Sequence, residues 1–243
     1  MSDPIAMTLP AKLRRPLAVR VLAAAALAVA LPLQAADSAP GPRANPNGVS
    51  WGELAMLPVY CKDANGIVYG DASYNRGPNA SYWEGVLGPD FWHVHHYCYA
   101  LANLRRAGAP GLEPARKKFL LGRVLGDYQY IVRNSKRDFV LLPEILVRIG
   151  DVQWMMGNQA ESLAAYMDAL ELKPDYGHGY VRLAETLQSV KLTNKAVEVL
   201  EQGLKKAPQS PEVRALYTKL TGRVVEAPPP PPAPAASASS SPD

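Results

Sequence analysis

The chain has 243 residues, 48% of them hydrophobic and 20% charged, with a formal charge of +4 at neutral pH. Lys12, Arg14, Arg15 and Arg20, less Asp3, carry +3 of that total in the first 35 residues, so the remainder is close to neutral. With no basic stripe interleaved with aromatics read in that remainder, nucleic acid is excluded as the expected partner.

The first element is an export leader. The four basic residues precede an apolar run from Val21 to Leu31, and Leu33-Gln34-Ala35-Ala36 supplies small residues for cleavage. The run is about half of the ~20 residues that a spanning helix needs. Residues 1–35 are therefore expected to be a cleaved signal peptide, with a periplasmic mature protein that meets the membrane only through that leader. Residues 36–48 read as a linker.

Residues 49–90 read as an irregular, aromatic-rich segment. Tyr69, Tyr74, Tyr82, Trp83, Phe91 and Trp92, with Asp71 and Asn75, have the chemistry of a sugar-binding face, in which Tyr74, Tyr82 and Trp83 would be the glycan contacts. The competing reading is a plug whose rings close the open end of a helical stack. Cys61 and Cys98 are the only cysteines. In an oxidising compartment an even pair reads as one disulfide, stabilising by roughly 4 kcal/mol through loop closure. A metal site is the alternative, because His93, His95, His96 and Cys98 crowd together. At about 100° per residue, His93 and His96 share a side of a helix while His95 points away beside Cys98, so the four do not converge. No metal and no cofactor is expected.

Residues 91–135 carry two helical stripes. Val94, Tyr97, Cys98, Leu101 and Leu104 form the first, Gly108 to Gly111 breaks it, and Phe119, Leu120, Val124, Tyr128 and Ile131 form the second. This predicts a degenerate helical pair.

Residues 143–220 then repeat with a period of 34, marked by Pro174 and Pro208. In the first unit, Ile145, Val147, Ile149, Val152 and Trp154 give one helix, Gly157-Asn158 a turn, and Ala160 to Leu172 a second helix that Pro174 ends. In the second, Tyr180, Leu183, Ala184 and Leu187 precede a turn near Lys191 to Asn194. Ala196, Val197, Val199, Leu200 and Leu204 follow, and Pro208 closes the unit. Pro211 to Leu220 reads as a polar-faced capping helix. Such a period is that of stacked helix–turn–helix units, which bind partners rather than perform chemistry.

These residues resemble the tetratricopeptide repeat family. That family favours small residues where this chain has Gly150, Ser162 and Ala169, then Ala184, Ala196 and Gly203. It favours an aromatic at Tyr166, where the second repeat has Leu200, and proline at Pro174 and Pro208. The resemblance implies an all-α fold: antiparallel helix pairs stacked as a short right-handed solenoid, with an irregular N-terminal segment. It also implies a partner groove lined by Glu144, Val147, Asp151, Trp154, Met155, His178, Val181, Glu185, Gln188 and Ser189. Relatives that clamp a C-terminal carboxylate use Lys and Asn at several of these places. Val147, Val181, Asp151 and Glu185 stand there instead, so a mildly acidic groove for a basic or neutral segment of an envelope protein is expected, anchored by Trp154 and Met155.

No catalytic constellation appears: the sequence has no Gly-x-Ser-x-Gly, no phosphate-cradling Gly-Lys-Ser/Thr loop and no His-Glu-x-x-His. A scaffold is expected, and a carbohydrate-binding or cell-wall-glycan-acting protein that uses residues 69–92 is the alternative. Leu57 to Lys62, Gly70 to Tyr74 and His95 to Cys98 also resemble the front of exported bacterial repeat proteins linked to surface-polysaccharide production. Residues 226–243, rich in Pro, Ala and Ser, read as an extended tail.

Overall fold

A computed structural model describes residues 48–64 and 76–229. The expected signal peptide, most of the expected linker, the Gly70–Tyr74 motif and the tail from residue 230 lie outside the described residues. Within them the protein is all-helical, with no strand: α1 (Trp51–Leu54), α2 (Ala80–Leu87), α3 (Val94–Ala107), α4 (Pro114–Asn134), α5 (Leu142–Met155), α6 (Gln159–Leu172), α7 (Gly177–Ser189), α8 (Thr193–Lys206) and α9 (Pro211–Thr221).

The helix ends follow from local chemistry. Pro114, Pro143 and Pro211 each occupy the first turn of a helix, where a missing N–H costs nothing and a fixed φ suits the helix. Ser210 caps α9 by accepting the Val213 N–H at 3.3 Å. Gly157, with φ +83°, turns the chain out of α5, and Lys191, with φ +64°, adopts the same left-handed conformation 34 residues later. The first repeat thus has the residue that this turn favours, and the second makes the turn with a strained side chain.

Helices pack as neighbours in pairs, α3 with α4, α5 with α6 and α7 with α8. Each pair then meets the next, and α9 lies against α7 and α8. Small residues set the closest approaches. A methyl group at Gly150 would strike the edge of the fully buried Tyr166 ring. One at Gly203 would sit 2.9 Å from the Tyr180 ring and 3.0 Å from Val213. The repeat signature is therefore a packing requirement, in which glycine on one helix makes room for an aromatic on its neighbour.

The front segment is less irregular than its sequence predicts. It contains α1, a 3₁₀ turn over Val59–Asp63, α2 and a second 3₁₀ turn over Pro89–His93. Elements this short complete at most about two turns, so no apolar period develops. Tertiary bonds hold them. Cys61 and Cys98 form the expected disulfide, joining the first 3₁₀ turn to α3. The buried Asp63 carboxylate accepts the Asn79 N–H and the Trp83 indole N–H, each at 3.0 Å. Arg106 of α3 pairs with Glu53 and donates to the Gly48 carbonyl at 3.0 Å. Its hydrogen bond holds the Glu53 carboxyl at about 2, well below its ordinary range.

One expectation for the helical pair fails. Phe119 was assigned to the apolar stripe of α4, but its ring is 54% exposed. It precedes Leu120 by one residue, a turn of about 100° around the helix, and the buried face is already filled by Leu120, Leu121, Val124, Tyr128 and Ile131.

Candidate partner-binding face

The first helices of the two repeats, α5 and α7, lie side by side and expose an open hollow of about 340 Å³. Glu144, Val147, Arg148 and Asp151 from α5, with Tyr176 and His178 from the start of α7, line it. Val147 is buried, so it forms floor rather than contact surface. Glu144 accepts the Tyr97 hydroxyl of α3 and pairs with Arg148 at 2.8 Å. Asp151 accepts the Tyr166 hydroxyl at 2.7 Å and pairs with Arg182 of α7 at 2.8 Å. Arg182 also holds Glu185.

The groove keeps a small acidic excess, but its acids are not bare. Its three carboxylates, Glu144, Asp151 and Glu185, are each engaged by Arg148 or Arg182. The face is a chain of alternating charges tied across α3, α5, α6 and α7. Sequence reasoning missed both arginines, although the signal was present: they stand 34 residues apart, at the same place in each repeat. Three carboxylates against two guanidiniums leave one net negative charge, so an anionic peptide end is still disfavoured. A carboxylate clamp also lacks its Lys and Asn side chains, with Val147 and Val181 in their place.

The buried hydroxyls respond to this environment. Burial, helped by the Glu144 charge and opposed by Arg148, leaves the Tyr97 phenol far above its usual range. Burial, then Glu144, pushes Tyr60 up to about 12. Both remain neutral at physiological pH, and Tyr97 donates to Glu144. Toward the far end of α5, Trp154 is half-buried and Met155 is 50% exposed. His178 is exposed, with its ring 6.1 Å from that of Tyr176. Val181 is half-buried, Gln188 is exposed, and the Ser189 hydroxyl turns back to the Thr186 carbonyl at 2.7 Å.

Residues 154–220 match the tetratricopeptide repeat family. No curated protein matches the chain. The match spans the end of α5 through α9, and tetratricopeptide repeats mediate protein–protein interaction. The helical pair α3–α4 and the short front helices lie outside the matched stretch.

The remaining candidates separate clearly. Tyr74 lies outside the described residues. The Trp83 indole N–H is taken by Asp63 and its ring packs against Tyr60 at 5.8 Å, whereas Tyr82 is exposed. Of the two residues read as glycan contacts that are described, Tyr82 is presented to solvent and Trp83 is half-buried. The disulfide removes both thiols from the metal alternative, and no group of three or more His, Cys, Asp or Glu among the described residues is placed to hold an ion. His95 does not point away from His96 as helical geometry predicted, since their rings lie 4.4 Å apart. His95 Nδ1 bonds the Trp92 carbonyl at 2.9 Å, and His96 bonds Asp127 at 2.8 Å while stacking on Tyr130. The His96 ring thus rests on α4, while the His95 ring packs against His96 and Tyr99 of its own helix.

Burial, then the adjacent His96, pulls His95 down to about 4 from its ordinary 6.5. The folded chain then binds fewer protons than the unfolded chain between these values. The His95 contribution is fully present above pH 6.5 and is lost as pH falls toward 4. A His95→Gln variant is expected to flatten that part of a Tm-against-pH profile. An unchanged slope would show that the ring is not held neutral by burial.

Proposed function

We propose that this protein is a non-enzymatic, exported tetratricopeptide scaffold that holds a segment of another envelope protein along the α5–α7 face. The observation that carries this is the pairing of an ion-paired, mildly acidic hollow with an exposed Met155 and a half-buried Trp154 on the same helix. Large apolar side chains dominate contact energy, and a face whose carboxylates are already bonded to arginines favours a neutral or mildly basic segment. The same engagement argues against catalysis there, because each acid is held in place by an ion pair. The Cys61–Cys98 disulfide is compatible with an oxidising compartment, and no helix among the described residues is long and apolar enough to cross a membrane. Surface-polysaccharide assembly or export is the setting we propose, on the resemblance carried by Leu57 to Lys62, Gly70 to Tyr74 and His95 to Cys98.

The test is site-specific photocrosslinking in the native envelope. A crosslinker at Met155 or Gln188 is expected to trap one protein partner, and one at Glu161, exposed on α6, is expected to trap none. A Met155→Asp change should weaken the complex about tenfold or more, as loss of an interface anchor does. Equal adducts from both sides of the stack would sink this reading.

A further inference from the structure

The turn end of the α3–α4 hairpin gathers cations that no carboxylate neutralises. Arg105 stands in the last turn of α3, and Arg116, Lys117, Lys118 and Arg123 stand on the first half of α4. None of the five takes part in an ion pair among the described residues. Arg105 points at the Met56 sulfur, 2.9 Å away, and Arg116 lies 5.2 Å from the centre of the Phe119 ring. Arg106 beside them is held by Glu53, and Glu113 is the one acidic residue between 105 and 126.

The same end is apolar at its tip. Residues 107–112, Ala-Gly-Ala-Pro-Gly-Leu, carry no polar side chain, and 108–111 are exposed. Phe119 and Met56 also face solvent. Along the outer side of α4, Gly122 and Gly126 have open space where a side chain would project, so the helix is flat beside Arg123.

From these observations we infer that the hairpin end rests on an anionic lipid bilayer. The apolar tip and Phe119 enter the interface while the cations meet headgroup phosphates, which is the arrangement by which basic, apolar-edged surfaces bind membranes. Charge complementarity alone would admit an acidic protein, a polyanionic saccharide or a nucleic acid. Residues 107–126 contain no Asn, Gln, Ser, Thr, Tyr, Trp or His to read hydroxyls or base edges, and an acidic protein segment would leave the exposed apolar tip without a role. This extends the expectation from sequence, which had the membrane met only through the leader. The patch escaped that reading because a turn separates Arg105 from Arg116, and the surrounding sequence balances their charge.

The full-length protein is to be sedimented with phosphatidylcholine vesicles, with and without phosphatidylglycerol. Binding is expected only where phosphatidylglycerol is present, and to fall with added salt. Each cation near such a surface contributes about a factor of five, so the Arg116→Glu, Lys117→Glu, Lys118→Glu variant should bind about 100-fold more weakly. Phe119→Ser should lose about tenfold through its apolar contact. These side chains are exposed, so the variants should keep the wild-type helical circular dichroism. Equal binding by wild type and variants would assign adhesion to the apolar run Val21 to Leu31, which all of them share, and would overturn the proposal. So would a lack of binding, or a preference for alginate or an oligonucleotide over the vesicles.

Discussion

Replacing Cys61 and Cys98 together with alanine is expected to lower stability by about 4 kcal/mol, the loop-closure contribution for a cross-link of this span. The residues lie 37 apart in sequence, and both are fully buried. Alanine is the appropriate replacement, since a serine hydroxyl there would be buried without water. For a domain of this size the loss corresponds to a fall in Tm of about 10 °C. The damage should be local first. Val59–Asp63 would remain tied to the rest through Asp63, which holds Asn79 and Trp83, and Glu53 would keep Arg106. The repeats α5–α9 share no such cross-link and should stay protected in hydrogen exchange while the front segment loosens. Wild-type protein treated with a thiol reductant should approach the variant, and the variant should ignore the reductant. A variant with the wild-type Tm would show that the non-covalent front contacts suffice.

Gly150→Val is expected to cost about 3 kcal/mol, at the upper end for overpacking a filled core. The added side chain would enter the space of the Tyr166 ring, which is completely buried. That ring cannot swing aside freely, because its hydroxyl donates to Asp151, itself paired with Arg182. The substitution thus presses on a bond that reaches the partner face. Partner affinity should fall along with stability, whereas the disulfide variant should leave it largely intact. Chemical denaturation of Gly150→Val, Tyr166→Leu and the double variant checks the mechanism. The double variant should cost less than the sum of the single changes, because the smaller side chain vacates the contested space. Strict additivity would mean that the two residues do not collide.

The two variants mark where the sequence was readable. Gly150 and Tyr166, sixteen residues apart, were each legible as signature positions of a repeat, and the structure shows that the Tyr166 ring fills the space a side chain at position 150 would need. The prolines and the Gly157 turn fixed helix ends within a residue or two, because they act on the backbone beside them. The cysteine pair was legible because only one pairing of two thiols exists. At the expected groove positions the acids were legible but their pairing was not. Asp151 and Glu185 looked bare in sequence, yet Arg182 reaches both, and Asp151 lies 31 residues before it. Similarly, Asp63 reads as an ordinary polar residue of a loop and turns out to anchor α2 from 16 and 20 residues away.

What the sequence determined by itself, then, is the list of helices in the repeats, their small-residue contacts and the disulfide. Each of these follows from backbone sterics, an apolar period or a count of thiols, and all act within a helix or between adjacent ones. Only the tertiary structure decided which charges neutralise each other, which rings face solvent and which cations gather at one end of a hairpin. Phe119 and Tyr128 occupy the same helix, and one is half-exposed while the other is fully buried. The reason is physical: ion pairing and exposure depend on what lies across a gap between helices. Residues far apart in the chain supply those neighbours, and a local period carries no record of them.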